Sequence, residues 1–146
     1  MCGVSIYILL NLFIVDMSKV ELTITYAILN KSYDVVGKME NYVRVRLVGT
    51  QGATAEYKTK LTEGDKNTKI VWNETISIPV RPAPQTYFEF TVFDEDATTD
   101  DVCGVGLLNL NTTGVLAGGV NKYNIRLHGD KNEEITGELH VTTRYT

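Results

Sequence analysis

The amino-acid sequence predicts an all-β protein, an antiparallel β-sandwich of eight strands. Three observations lead to this class. Apolar residues alternate with polar residues in a series of short runs, which is the pattern of half-buried strands. Glycine, proline and aspartate separate the runs, where turns need positive φ angles or a fixed bend. No helical stripe competes with the alternation, and short strands at this spacing favour two packed sheets.

The first four predicted strands cover residues 20–26, 42–47, 54–61 and 75–80. In the first strand, every second residue from Val20 to Tyr26 is apolar, and these residues alternate with glutamate and threonine. In the second, Val43, Val45 and Leu47 alternate with tyrosine and arginine. The third is the run TAEYKTKL, and the fourth alternates isoleucine and valine with threonine, serine and proline. Each run can therefore bury one face and expose the other.

The last four predicted strands cover residues 87–92, 102–110, 123–127 and 138–145. The fifth alternates Phe88, Phe90 and Val92 with polar residues, and the sixth is the run VCGVGLLNL. The seventh and eighth alternate apolar residues with asparagine, arginine, histidine and threonine. We find no internal repeat and no second domain in the sequence, so these strands are expected to build one sandwich.

Composition limits the classes of partner. The chain of 146 residues is long enough for one domain with a sizeable core, and its formal net charge is -4. An acidic protein of this kind does not bind nucleic acid, or an anionic membrane, without a switch that reverses the charge of its surface. The two cysteines, Cys2 and Cys103, form no disulfide framework, which favours a reducing intracellular compartment.

The amino terminus differs from the rest of the chain. Residues 1–15 read MCGVSIYILLNLFIV, contain no lysine or arginine, and are fewer than the about 20 residues of a membrane-spanning helix. We predict an apolar extension over residues 1–16 and the sandwich domain over residues 17–146. Three explanations of the extension stay open: a short anchor, a segment buried against a partner, and a start-site artefact upstream of Met17.

Acidic residues are concentrated in two loops that lie far apart in the sequence. The segment DEDATTDD spans residues 94–101, and an upstream segment runs from Asp34 to Glu40. At ~5 Å and an effective dielectric constant of ~20, each pair of like charges costs about 3 kcal/mol, so such loops need a counter-ion or full solvation. Carboxylate oxygens are the ligands of hard cations, and calcium is the first candidate.

Four separate motifs then resemble one family. They are the segments GKMENYVRV (residues 37–45), YKTK (57–60), VWNE (71–74), and VFDED (92–96) leading to DVCG (101–104). In order and spacing they look like the C2 domain, the calcium- and lipid-binding sandwich of protein kinase C, synaptotagmins and phospholipases. The resemblance runs from about residue 20 to residue 145. It implies the circularly permuted variant, in which the first strand corresponds to the second strand of synaptotagmin.

The resemblance also implies a set of calcium ligands. Position by position, these are Asp34, Glu40, Asp94, Asp96 and Asp101. Glu40 stands where the family has aspartate, and Asn41 stands where it has proline. Glutamate can still ligate calcium, which accepts about 6 to 8 oxygens in a flexible geometry. The alternative is a degenerate member of the family whose acidic loops are only solvated.

Apolar side chains near the tip of the first acidic loop are candidates for membrane contact. Val35, Val36 and Met39 are placed for shallow insertion, and each contributes up to ~1.5–3 kcal/mol if it is fully buried. The alternative for the two valines is ordinary packing against a neighbouring loop.

A second candidate surface is basic. Arg44, Arg46, Lys58 and Lys60 could form a strand face similar to the phosphoinositide-binding surface of some C2 domains. Lysines at a period of two on a solvent face also serve solubility alone, so this alternative stays open.

Enzymatic activity is not expected. His140 lies on the polar face of the last predicted strand and His128 lies at a turn, and no serine or cysteine is arranged with them as a nucleophile. Trp72 is interpreted as a structural anchor rather than a ligand contact.

Two function classes follow. The leading hypothesis is a calcium-dependent module that binds anionic phospholipid membranes as a targeting or signalling adaptor, located in the cytoplasm and peripherally on membranes. The alternative is a calcium-independent protein-interaction or scaffold subunit of a larger assembly, on which the apolar amino terminus docks. Four matching aspartates favour the first hypothesis, whereas Glu40 and the unusual terminus favour the second.

Overall fold

The computed structural model describes residues 18–30, 40–49, 55–63, 69–81, 83, 85–95, 99–131 and 134–146. These residues contain nine strands: β1 (Lys19–Leu29), β2 (Glu40–Val48), β3 (Ala55–Lys58), β4 (Thr62–Glu63), β5 (Lys69–Pro79), β6 (Tyr87–Asp94), β7 (Asp101–Asn109), β8 (Val120–His128) and β9 (Ile135–Tyr145). One turn of 3-10 helix, Val115–Ala117, precedes β8. No helix in this part of the chain is long and apolar enough to span a membrane. The predicted extension, residues 1–16, lies outside the described residues.

The strands are hydrogen-bonded in the order β3-β2-β6-β7-β8-β9-β1-β5, and every pair is antiparallel. β7 and β8 share a single bridge, between Val105 and His128, so the path divides there into two layers of four strands. The first sheet is β3-β2-β6-β7 and the second is β8-β9-β1-β5. This arrangement confirms the predicted antiparallel β-sandwich.

Two details of the strand order bear on the prediction. The structure adds the two-residue strand β4, which pairs with Glu40 and Asn41 at the start of β2. A strand of two residues is too short to produce an alternation pattern in the sequence. The C-terminal strand β9 lies between β8 and β1. The permuted variant of the topology stays a prediction.

The core lies between the two sheets and follows the predicted alternation. From the first sheet, Val43 and Val45 of β2 and Phe88 and Phe90 of β6 are completely buried. The two phenylalanine rings meet edge to face with centroids 6.0 Å apart, a preferred geometry for aromatic pairs. From the second sheet, Leu22, Ile24, Ile78, Leu127 and Leu139 are also completely buried. Burial of each such side chain stabilises the fold by about 1.5 to 3 kcal/mol.

A β-bulge in β1 corrects the predicted face of one residue. The alternation placed Tyr26 on the same face as Val20, Leu22 and Ile24, but the pairing of β1 with both of its neighbours shifts between Ile24 and Tyr26. The extra residue inverts the pattern from that point on, because side chains alternate strictly along a strand. Ala27 becomes buried, and Tyr26 stacks outside the sheet on His140 with centroids 4.2 Å apart.

Two glycines of β7, Gly104 and Gly106, let residues of β8 approach the backbone of β7 closely. A Cβ atom added at Gly106 would lie 2.6 Å from Cγ2 of Ile125 and 2.9 Å from the carbonyl oxygen of Arg126. Both distances are shorter than van der Waals contact, so only glycine lets β8 pack against β7 at this point.

We therefore expect Gly106→Ala to lower the free energy of unfolding by about 1 to 3 kcal/mol, the usual cost of overpacking. Urea denaturation measures the change. Gly49→Ala is the matched control, because a Cβ there would have its nearest contact at 3.6 Å, on Oγ1 of Thr86. Equal stability of the two variants would contradict the close approach of β7 and β8.

Candidate cation site at the acidic end

Three of the predicted ligands lie at the ends of three neighbouring strands. Glu40 begins β2, Asp94 ends β6 and Asp101 begins β7. Asp94 is the register partner of Asn41 on one side and of Asp101 on the other. Neighbouring strands are about 4.8 Å apart, so antiparallel pairing brings these three chain segments to one edge of the first sheet. We refer to this edge as the acidic end.

The three carboxylates differ in exposure. Glu40 and Asp101 are exposed, whereas Asp94 retains only 4% of its accessible surface. Glu63 of β4 lies directly opposite Glu40, and like charges in that position destabilise a strand pair. A buried carboxylate also costs free energy unless nearby groups stabilise its charge. The acidic end therefore concentrates negative charge that a bound cation would offset.

Asn41 forms the floor of the acidic end. The residue is completely buried, and its Nδ2 donates a hydrogen bond of 3.0 Å to the carbonyl oxygen of Phe93 and a longer contact of 3.7 Å to Sγ of Cys103. One side chain thus joins β2, β6 and β7 directly behind their acidic ends. Its Oδ1 is buried without a hydrogen-bond partner among the described residues. Buried oxygens of this kind usually have a donor, a water molecule or a cation next to them.

Trp72 connects this floor to the opposite sheet. Its Nε1 donates a 3.2 Å hydrogen bond to the carbonyl oxygen of Asn41, and its half-buried ring packs against the core. Trp72 belongs to β5 of the second sheet, next to Asn73, whose φ of 48° lies in the left-handed region. Asparagine adopts that region more readily than most residues, and it lies where two residues of β5, Trp72 and Asn73, stand opposite Thr25 of β1. These contacts agree with the anchoring role predicted for Trp72.

The pKa of the Cys103 thiol is raised by its position at the floor of the acidic end. The side chain is buried, and its burial, followed by the charges of Asp94 and Asp101, raises its pKa to about 12. The thiol is therefore neutral at physiological pH. Its weak hydrogen bond from Asn41 lowers the pKa but does not offset the first three effects.

The connection between β6 and β7 is tied to β2 at both of its described ends. At the first end, the amide nitrogen of Glu95 donates a 2.9 Å hydrogen bond to the carbonyl oxygen of Glu40. At the second end, the hydroxyl of Tyr42 donates a 2.5 Å hydrogen bond to Oδ2 of Asp100. Burial of the ring and then this bond to Asp100 raise the pKa of Tyr42 to about 12. The sequence pattern identified neither Asn41 nor Tyr42 as a contact, because hydrogen-bond partners depend on strand register.

The donor chemistry of the acidic end fits a hard cation, but the described part of the site is incomplete. Carboxylate and amide oxygens are the ligands that calcium prefers. Among the residues that the structure describes, no three acidic, histidine or cysteine side chains lie close enough to hold a metal ion. The other two predicted ligands, Asp34 and Asp96, lie outside the described residues, as do the predicted membrane contacts Val35, Val36 and Met39.

Three of the four residues of the predicted basic face, Arg44, Arg46 and Lys58, lie on strands of the first sheet. Arg44 of β2 is the register partner of Lys58 of β3, and Arg46 follows two residues later. Both arginines face carboxylates: Nε of Arg44 lies 3.7 Å from Glu56, and Nη1 of Arg46 lies 3.8 Å from Glu89. These partly exposed pairs contribute little stability at such long distances, but they reduce the positive potential of the face.

Lys60 follows β3 and is exposed. Its backbone nitrogen donates a 3.0 Å hydrogen bond to Oε2 of Glu74, which holds the chain at this point near β5. On the same face, the guanidinium of Arg44 lies 5.0 Å from the ring centre of Phe93. The ring of Phe93 therefore helps to hold Arg44 in place next to the acidic end.

We expect Asn41→Ala to lower the free energy of unfolding by about 1 to 3 kcal/mol. The substitution removes the amide group that donates to the carbonyl oxygen of Phe93 and to Sγ of Cys103. Urea denaturation measures the loss. Asn121→Ala is the matched control, because Nδ2 of Asn121 donates only a 3.3 Å bond to Gly118 in the turn before β8. Equal losses in the two variants would contradict the special role of Asn41.

The raised pKa of Cys103 predicts a loss of stability in alkaline solution. The folded thiol stays neutral up to about pH 12, whereas the unfolded thiol ionises near its ordinary pKa of 9.0, so rising pH favours the unfolded state. Between pH 8 and pH 10 the wild type should lose about 1.4 kcal/mol relative to Cys103→Val. Parallel urea titrations of both proteins test this, and a constant difference between them would refute it.

Comparisons with known proteins agree with this geometry. The family model described as C2 domain matches residues 18–126. In sequence, the chain is 28% identical over 107 residues to mouse cytosolic phospholipase A2 delta, a match that includes 73% of this chain and 12% of the phospholipase. The chain therefore corresponds to a small part of that enzyme.

Solved structures show the same fold. The C2A domain of plant extended synaptotagmin 1 superposes with a TM-score of 0.73 at 20% identity, covering 90% of this chain and 95% of that domain. The calcium-bound C2A and C2B domains of extended synaptotagmin 2 give a TM-score of 0.61 at 19% identity, covering 88% of this chain and 45% of theirs. At this level of identity the likeness establishes the fold alone.

Proposed function

This chain belongs to the C2 domain family, as its four motifs predicted, and on that premise we propose that it is a calcium-dependent phospholipid-binding module. Membership of the family suggests a membrane-binding, lipid-binding or signalling-adaptor role. The observation that supports the calcium-dependent form is that Glu40, Asp94 and Asp101 stand at the adjoining ends of three adjacent strands. We propose a binding module without chemistry of its own, although one of its relatives is a phospholipase.

In this proposal the acidic end holds the ion through side-chain oxygens. The family motif implies all five ligands, of which Glu40, Asp94 and Asp101 are among the residues that the structure describes and Asp34 and Asp96 are not. The buried Oδ1 of Asn41 is an additional oxygen at the floor. Calcium, when bound, supplies positive charge and open coordination positions to which phosphate oxygens of a lipid headgroup can bind.

Charge explains why binding would depend on the cation. Without it, the carboxylates at the acidic end repel an anionic membrane, and the chain as a whole carries a formal charge of -4. Neutralised carboxylates no longer repel the surface, and the cations of the basic face, Arg44, Arg46, Lys58 and Lys60, then add attraction to anionic headgroups. Glu56 and Glu89 offset part of that attraction, so the basic face assists binding without being sufficient for it.

Membrane contact completes the proposal. Val35, Val36 and Met39 would insert shallowly beside the bound ion, and their burial would add an apolar contribution to an electrostatic contact. The proposed partner is therefore an anionic phospholipid membrane in the presence of calcium, and the proposed location is cytoplasmic with peripheral membrane association. A protein partner is compatible with the adaptor role.

Calcium titration and vesicle sedimentation of the full chain test the proposal. We expect heat of calcium binding in calorimetry, and sedimentation with phosphatidylserine vesicles in calcium but not in a chelator. Asp94→Asn together with Asp96→Asn keeps the size of both side chains and removes two charges, so calcium affinity should fall at least about tenfold. Vesicle binding should also weaken at high salt, since exposed charges are screened.

Glu21→Gln is the control for this experiment. Glu21 lies on the outer face of the second sheet and pairs with Lys19 at 3.8 Å, away from the acidic end. Its loss should leave calcium affinity unchanged. A folded wild type that binds neither calcium nor vesicles would refute the proposal and favour the calcium-independent scaffold. Vesicle binding in chelator that requires residues 1–16 would instead indicate a hydrophobic anchor.

A further inference from the structure

The ring of Tyr42 is fixed on both sides. On β6, Phe93 stacks on it with centroids 5.1 Å apart and an interplanar angle of 18°. On the other side, Nζ of Lys58 lies 5.7 Å from its centre, which is within the range of a cation-π interaction. Tyr42 itself is part of the central strand β2 and pairs in register with Phe93. Its hydroxyl is therefore presented at a defined position beside the acidic end.

The hydroxyl of Tyr42 uses that position to hold Asp100. The distance of 2.5 Å between the hydroxyl and Oδ2 is typical of a charge-assisted bond between a hydroxyl and a carboxylate. Asp100 directly precedes Asp101, one of the proposed calcium ligands, and Asp101 begins β7. A side chain of β2 thus fixes the last residue of the β6–β7 connection before that connection enters β7.

The opposite end of the same connection is also fixed to β2. The amide of Glu95 donates to the carbonyl oxygen of Glu40, and Glu95 directly follows the proposed ligand Asp94. The two contacts lie two residues apart on β2 and bracket Asn41. They hold the residue that follows Asp94 and the residue that precedes Asp101. The chain next to each of these two residues is therefore held against β2 in the cation-free protein.

We propose that Tyr42 is a positioning residue for the cation site: its hydroxyl holds Asp100, and thereby fixes the start of β7, with Asp101, relative to Asp94. This inference rests on the proposed function for the identity of the ion, but the hydrogen bond itself belongs to the cation-free protein. Preorganised ligands bind an ion more tightly because less conformational entropy is lost on binding. Tyr42 accordingly contributes to affinity without touching the ion.

Tyr42→Phe removes one oxygen atom and keeps the ring between Phe93 and Lys58. We expect two results in the full chain. In calcium-free protein, amide hydrogen exchange at Thr99 and Asp100 should become faster, because the tie to β2 is lost. In calorimetry, calcium affinity should fall by about three- to tenfold. Without the charge-assisted hydrogen bond, Asp100 is no longer held in the cation-free protein, so part of the free energy of that bond is lost from calcium binding.

Tyr123→Phe is the matched control. The hydroxyl of Tyr123 donates a 2.9 Å hydrogen bond to the carbonyl oxygen of Thr113, so this variant also removes a tyrosine hydroxyl that holds a connection. It should change neither calcium affinity nor exchange at Thr99 and Asp100. A purely structural effect of losing a hydroxyl would instead lower the stability of both variants and leave calcium affinity unchanged in both.

A double-mutant cycle with Asp100→Ala isolates the contact. If Tyr42 acts through Asp100, the double variant should bind calcium as weakly as the weaker single variant, and no more weakly. Additive losses in the cycle, or wild-type affinity in Tyr42→Phe, would overturn the positioning role alone. Failure of the folded wild type to bind calcium would overturn the proposed function together with the role assigned to Tyr42. The two failures are therefore distinguishable.

Discussion

The hydrogen bonds of Asn41 are the interaction on which the acidic end depends. A completely buried side chain on β2 donates to Phe93 and Cys103, and its backbone carbonyl accepts from Trp72 of the opposite sheet. Three strand ends and both sheets meet in this one residue. A buried amide is costly unless its groups are bonded, so these contacts favour one arrangement of the strand ends over all others. The family motif has proline at this position, which has no side-chain donor for such a junction.

Anionic and cationic side chains occupy different positions along the strands of the first sheet. On β2, the outward residues Arg44 and Arg46 place cations on the face of the first sheet, whereas Glu40 at the start of the strand places an anion at its end. Asp94 and Asp101, on the next two strands, are in register with Asn41, the residue that follows Glu40. An acidic end and a basic face thus adjoin along a single strand. An approaching anionic surface meets repulsion and attraction side by side, and neutralisation of the acidic end changes the balance between them.

The sequence was sufficient for the sandwich, because burial of one face per strand leaves a direct trace in the alternation. It failed at Thr25, since one inserted residue inverts the pattern without changing the composition of the run. It also failed to identify the contacts of Asn41 and Tyr42. Their partners, Phe93, Cys103 and Asp100, are more than fifty residues away, and only the register of β2 with β6 brings them together. Asp34, Asp96, Val35, Val36 and Met39 stay predictions.

Register connects the fold to the proposed function. Glu40, Asn41 and Tyr42 are consecutive, so their side chains point alternately to the outer and the inner face of β2. Glu40 is a proposed ligand. Asn41 joins the strands from the inner face, and Tyr42 holds Asp100 from the outer face. A slip of one residue between β2 and β6 would exchange these faces, burying Tyr42 and exposing Asn41. The core residues Val43 and Val45 of β2 oppose that slip, because it would move them into water as well. The hydrophobic core therefore fixes not only the stability of the sandwich but also which side chains reach the acidic end.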